Sequence, residues 1–363
     1  GLDRFQPAGF PEIGHVIYKA PRKDTSEESV CIVDSPASMA NHLETVCMRG
    51  AHDLDLVENL AGMPYLRCVT GALDENGKLQ EREVVVTSLT EGHRIASTYF
   101  LGQRNDKTRK WDRKGGQRVT ADKEVSQVSF GGELSGEENF AIKPSPESKA
   151  AHPPPEKWWG VFKTIFQYDP NSLVHGVLFP QWQIKIPRFL TAHLEAFGVS
   201  RVDRSGVKFD RLGKTTSGQP IFAVDDVVAS GIRATFILDV CLLRSFGRQK
   251  DEATIGLNEG QKEFLIALAL WKIQRMLTTP FRFRSGCHLA LKGNGLKVSN
   301  DPVSIGVDIK TAIRNAGFTT EPRITDVFWP RKELYREAKE DEKQTDNESV
   351  GQQEDEEVGQ SEG

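Results

Sequence analysis

The chain has 363 residues, 38% of them hydrophobic, and a formal net charge of −4, which is enough apolar material for one large core or two modest ones and excludes a disordered protein. Its longest apolar run, Phe264 to Leu270, is about a third of the roughly 20 residues that span a bilayer, and no basic-then-apolar segment opens the sequence, so neither a membrane span nor a signal segment is expected. Cys31, Cys47, Cys68, Cys241 and Cys287 are odd in number and form no CxxC pair, which excludes a disulfide framework and a zinc knuckle and leaves reduced, mostly buried thiols in a cytoplasmic protein.

The charge is unevenly spread. From Arg331 onward 12 acidic and 5 basic residues give a net of −7, so residues 1–330 carry +3. The opening Gly1, in place of Met, suggests a trimmed or fragmentary start.

In chain order, Val30 to Val33 reads as a strand. Ser35-Pro36 then starts a helix with a capping residue and a proline at its first position, and Met39, Leu43 and Val46 fall on one face. Val84 to Thr87 reads as a second strand, and Ser88 and Glu91, at capping-box spacing, as the start of a helix through Tyr99. Gln103 to Lys123 holds eight Lys or Arg against three Asp and continues through Phe130-Gly131-Gly132 to His152-Pro153-Pro154-Pro155. That composition predicts a long mobile insertion.

Val174 to Ile186 reads as a strand passing into a helix near Pro187, with Leu190, Leu194 and Phe197 in helical phase and Gly198 as the stop. Gly231 to Leu243 reads as a buried strand and Glu259 to Leu277 as a long helix. Phe281-Arg282-Phe283-Arg284 alternates with a period of two, and Gly293-Asn294-Gly295 predicts a turn. Glu333 to Gly363 has almost no apolar residue to offset its ordering entropy and reads as disordered. Strands interleaved with helices, without a GxGxxG fingerprint, favour an α+β fold.

Several residue groups have both a binding and a structural reading. The helix opening at Ser35 offers an anion its first-turn N–H groups, with Ser38, Asn41 and His42 as further donors; it also reads as an ordinary capped core helix. Arg282 and Arg284 share the face opposite Phe281 and Phe283, which suits either a phosphate track or a solvated strand face. Lys107, Arg109, Lys110, Trp111, Arg113 and Lys114 combine cations with one ring able to stack on a base, or form a plain charged loop. His93, Arg94, Arg244 and Arg248 read as ligands or as salt-bridged surface groups, and Trp158-Trp159 as rings that stack on RNA or as packing anchors.

Catalytic constellations are harder to assemble. Asp225 and Asp226 are adjacent and point apart, no HExxH is present, and neighbours such as Cys287 and His288 on a strand face opposite sides. No metal or cofactor is expected.

The words Arg4-Phe5-Gln6-Pro7-Ala8-Gly9-Phe10-Pro11, Asp34 through Glu44, Ser88-Leu89-Thr90-Glu91-Gly92-His93-Arg94-Ile95, Leu173-Val174-His175-Gly176-Val177 and Gly206-Val207-Lys208-Phe209-Asp210 follow one another in order. With Leu238 through Gly247 and the Ile266 to Leu277 helix, they resemble the backbone subunit of type I CRISPR interference complexes of subtype I-G, formerly I-U, over positions 1–330.

The resemblance implies a RAMP-superfamily protein with an RNA-recognition-motif-like, ferredoxin-like palm elaborated by finger and thumb insertions. Residues 1–102 and 158–330 would form the palm, 103–157 a basic mobile insertion and 331–363 a disordered acidic tail. Copies would polymerise along the crRNA beside the other subunits of the complex and present its spacer to target DNA, base pairing reading sequence while protein reads backbone and shape. Arg4 and Gln6 would then join the residues above as RNA contacts. The alternative within the superfamily is a guide-processing endoribonuclease using His42, His175 or Asp34; a third reading is a protein-only assembly factor.

Overall fold

The computed structural model describes residues 4–9, 14–50, 52–102, 115–144, 151–202, 226–250, 253–278, 280–292, 297–298, 301–302 and 306–334. Strands β1 (Ile17–Pro21) and β2 (Glu27–Asp34) form an antiparallel hairpin. Helix α1 (Pro36–Thr45) begins where the sequence places it: Ser35 Oγ accepts the Ser38 N–H at 3.2 Å, and Met39 and Leu43 are buried. Strands β3 (Tyr65–Thr70) and β4 (Glu83–Thr87) follow.

The helix expected from Ser88 to Tyr99 does not form. Ser88 Oγ accepts the Leu66 N–H at 3.2 Å instead of capping, and Thr90 folds back on Thr87 at 2.9 Å. Arg94 sits at φ 54°, in the left-handed region that ends regular helix, so only short turns at Arg94–Ala96 and Thr98–Leu101 remain.

Strands β5 (Gln117–Val119) and β6 (Val125–Ser129) lie within the stretch expected as a mobile insertion, and a helix at Phe130–Ser135 follows them. Val119, Phe130, Leu134 and Phe140 are buried there. These apolar anchors are diluted by the surrounding charge, which is why composition hid them. The basic residues 103–114, including Lys107, Arg109, Lys110 and Trp111, lie outside the described residues, as do 145–150, Gly293-Asn294-Gly295 and the tail from 335.

Helices α2 (Trp158–Tyr168) and α3 (Pro170–His175) lead to a small hairpin, Val177–Phe179 with Ile184–Ile186. Val174 therefore closes a helix. The next segment is strand β7 (Leu190–Phe197), not a helix, and every second residue of it is buried. Leu190 and Leu194, four apart, satisfy both a helical face and a strand face; pairing with neighbours on both sides decides for the strand.

Strand β8 (Gly231–Leu238) is the half-exposed edge of its sheet, not a buried strand, and Asp239 then caps a short helix at Val240–Ser245. Helix α4 (Glu259–Leu277) opens on a full capping box between Asn258 and Gln261. Strands β9 (Phe281–Arg284) and β10 (Cys287–Leu289) form a hairpin, and β11 (Ile324–Phe328) closes the set.

The fold is mixed α+β. The two largest sheets among the described residues are an antiparallel one, in the order β8-β7-β2-β1, and one that runs β4-β3-β11-β5-β6 with β11 parallel to β3; a three-stranded sheet and several two-stranded ones accompany them. Helix α1 packs on β7 and against α4. Both large sheets draw strands from either side of residues 103–157, so that stretch does not divide them.

Four of the five cysteines are buried and Cys241 is exposed. Burial pushes the thiols of Cys31 and Cys287 up to about 11 and that of Cys68 to about 12, so they stay protonated packing groups. No helix among the described residues is long and apolar enough to cross a membrane.

Candidate nucleic-acid interface

Three words far apart in sequence meet beside the start of α1. The Gln6 N–H donates to the Gly286 carbonyl at 2.9 Å, tying the N-terminal segment to the β9–β10 hairpin. Arg284 donates to the Val33 carbonyl at 2.7 Å and ion-pairs with Asp34, whose side chain is 1% exposed. His42 Nε2 lies 3.2 Å from Asp34 Oδ2, and its ring meets the Phe281 and Phe283 rings edge-on at 5.2 and 5.1 Å.

The two arginines of β9 therefore part company. The ladder is irregular between Arg282 and Arg284; Arg282 faces solvent, and Arg284 turns back to cover a buried carboxylate. Asn41 on α1 is exposed and Ser38 half-buried, and on the hairpin Arg282 and His288, paired across it, are exposed. The Arg4 side chain is half exposed, with Nε 2.5 Å from Asp226 Oδ2.

Ser38, His42 and Asp34 resemble a nucleophile relay only by composition. Ser38 Oγ lies 3.4 Å from His42 Nε2 and Asp34 Oδ2 lies 3.2 Å from the same nitrogen, whereas a relay needs acid and nucleophile on opposite ring nitrogens. Both groups approach one ring nitrogen of His42, and Asp34 Oδ2 makes no hydrogen bond there.

The other candidates are dispersed. His93 is exposed with Nδ1 3.2 Å from Glu91 Oε1, and Arg244 is exposed. Arg248 lies over the Trp159 ring at 5.7 Å, and Trp158 and Trp159 both pack on Phe162, as anchors do. Arg94 is not a surface group: its guanidinium pairs with both oxygens of buried Glu44, at 2.7 and 2.8 Å.

That pair belongs to a buried polar network that sequence reasoning missed. Glu44 also accepts Asn171 Nδ2 at 2.5 Å. Asn171 accepts from Lys272, whose Nζ lies 3.0 Å from His175 Nε2. Burial, reinforced by Lys272 and Arg94, holds His175 well below its ordinary pKa. Asp169 accepts from Ser172 Oγ at 2.6 Å while its other oxygen meets no hydrogen-bond partner, and burial pushes its carboxyl up to about 7. The available signal was Lys272, a cation in register with the apolar face of α4.

Arg94 and His175 are thus enclosed within the core, out of reach of a polymer. Among the described residues no group of three His, Cys, Asp or Glu side chains is placed to hold a metal ion. One family model, that of CRISPR-associated protein GSU0053, matches residues 1–201, and no curated protein matches the chain.

Proposed function

Because the chain belongs to the family of CRISPR-associated protein GSU0053, we propose that it is a cytoplasmic, non-catalytic guide-RNA-binding backbone subunit of a type I interference complex. Its copies line up along the crRNA spacer, beside the other subunits, and hold it for pairing with target DNA. The observation that carries this reading is the family match over 1–201, which contains Arg4, Gln6 and the whole of α1.

Other features support it. An antiparallel sheet with helices on one face suits an RNA-recognition-motif-like palm, and the basic residues 103–114 suit a finger or thumb. Ser38 and Asn41 on α1 and the exposed Arg282 and His288 on the β9–β10 hairpin offer hydroxyl, amide, guanidinium and imidazole donors, the groups that grip phosphate oxygens. His175 is enclosed in the core, which leaves it no direct access to an RNA strand.

RNAs of increasing length test the proposal. The complex mass rises in steps with length, and labelled repeat RNA stays intact with and without magnesium. One protein per RNA at every length overturns the scaffold, cleavage lost in His42→Ala or Asp34→Ala selects the endoribonuclease, and absence of RNA affinity selects an assembly factor.

A further inference from the structure

Along β7 the core takes Leu190, Ala192, Leu194 and Ala196, and the alternate residues Thr191, His193, Glu195 and Phe197 stay partly exposed on the other face. Strand register carries that face across the whole sheet. Tyr18, Val30, Phe197 and Gly231 form one cross-strand row, and Ile32, Glu195 and Arg233 the next.

The Tyr18 hydroxyl donates to Glu195 Oε1 at 2.9 Å, although Glu195 stands two strands away, about 10 Å across the sheet. The ring bridges that gap by lying down along the surface over β2, and it keeps 40% of its area exposed. On the far side the Arg233 guanidinium sits 4.5 Å from the centroid of the Phe197 ring. Val30, between the two aromatic residues in its row, is left 1% exposed. Where the β1–β2 turn approaches Ser230 and Arg233, a cleft of about 730 Å³ opens, with Arg22, Lys23, Asp24 and Glu28 on its wall.

We infer that this open sheet face is a base-stacking platform for single-stranded RNA, separate from α1 and the β9–β10 hairpin. One base lies on the Phe197–Arg233 pair, its neighbour on Tyr18, and the connecting sugar-phosphate passes through the cleft at Arg22 and Lys23. The inference rests on the RNA-binding reading above and adds a surface that stacks on bases without reading their sequence.

The chemistry of the face selects this occupant. A docking protein strand would need aliphatic surface, and Ile237 is the one large aliphatic exposed on the face among the described residues. Flat rings, a guanidinium plane, and the flanking Thr191, His193 and Thr235 are what unstacked bases use. Charge plays the smaller part, because Arg22 pairs with Glu28 and Glu195 lies beside Arg233. Stacking on this face therefore contributes affinity with little salt dependence.

The test compares an unstructured RNA oligonucleotide with an abasic ribose-phosphate strand of equal length, titrated against the full chain at several salt concentrations. The base-bearing strand binds about tenfold or more tightly. The Tyr18→Ala/Arg233→Ala double variant, checked for folding by circular dichroism, loses that preference and keeps the wild-type salt slope. Tyr18→Phe, which retains the ring, keeps the preference; Arg282→Ala weakens both strands equally.

A folded double variant with an undiminished preference for bases overturns the platform. Equal binding of both strands by the wild-type protein overturns it as well, while leaving the scaffold reading intact. Failure of the wild-type protein to bind either strand overturns both.

Discussion

Arg282 and Arg284 stand two positions apart on one strand, yet only Arg282 is free to meet a phosphate. Arg282→Ala should flatten the dependence of log affinity on log salt by about 0.7 for single-stranded RNA, and should leave the melting temperature within the small range of exposed-surface changes. Arg284→Ala should do the reverse: it strands Asp34, whose side chain is 1% exposed, and costs stability toward the lower end of the roughly 3–5 kcal/mol that follows breaking a buried pair. Salt-titrated anisotropy and thermal melts on both variants separate the roles. Equal melting temperatures would remove the Asp34 pair as a structural element.

Asp169 gives the buried network a signature in pH. Its carboxyl, raised to about 7 by burial, keeps its proton in the folded state, whereas in the unfolded chain it titrates near 4. Between those values the folded state binds more protons, so this residue's contribution to stability is full below about pH 4 and falls as pH rises through about 7. The stability advantage of the wild-type protein over Asp169→Asn should therefore shrink by on the order of 1.4 kcal/mol per pH unit across that window. Denaturant melts at pH 4.5, 5.5 and 6.5 measure it, and a flat difference would show that the carboxyl is ionised in the fold.

At the scale of elements, legibility followed the strength of local signals. Helix α4 was readable from end to end because an apolar face and a capping box agree, and Asn258→Ala, which removes the acceptor for Gln261 N–H at 2.9 Å, should cost about 1 kcal/mol in denaturant melts. Helix α1 was readable from its Ser35 cap, Pro36 and apolar face, and the strand placing Cys287 and His288 on opposite sides, buried and exposed, from the period of two. The segment Leu190–Phe197 was misread because its large apolar residues sit four apart, and small buried Ala192 and Ala196, which carry the period of two, signal weakly. The helix expected after Ser88 failed on a tertiary contact: the serine's acceptor serves Leu66 on the neighbouring strand. The candidate site was legible as three words, Gln6, Ser35–His42 and Phe281–Arg284. That Arg284 would be used up by Asp34 was not legible, because the two are 250 positions apart in the chain.

The whole molecule sets a mildly basic body against an acidic tail, +3 for residues 1–330 and −7 from Arg331 onward. Its last described anchor is Trp329, buried with Nε1 donating to the Tyr99 carbonyl at 2.7 Å, followed by one short helical turn ending at Leu334. Beyond that point the sequence offers Tyr335 and little else to bury, which predicts no stabilising contact with the body. Removing residues 335–363 should leave the melting temperature unchanged. On the proposed reading the same cut removes negative charge that would compete with RNA for the basic surface, so affinity should stay equal or rise, most visibly at low salt where such competition is least screened. Thermal melts and anisotropy titrations at two salt concentrations on the truncated and full chains decide the matter. A lower melting temperature would mean that the tail docks on the body, and weaker RNA binding would assign the tail to the RNA-binding surface itself.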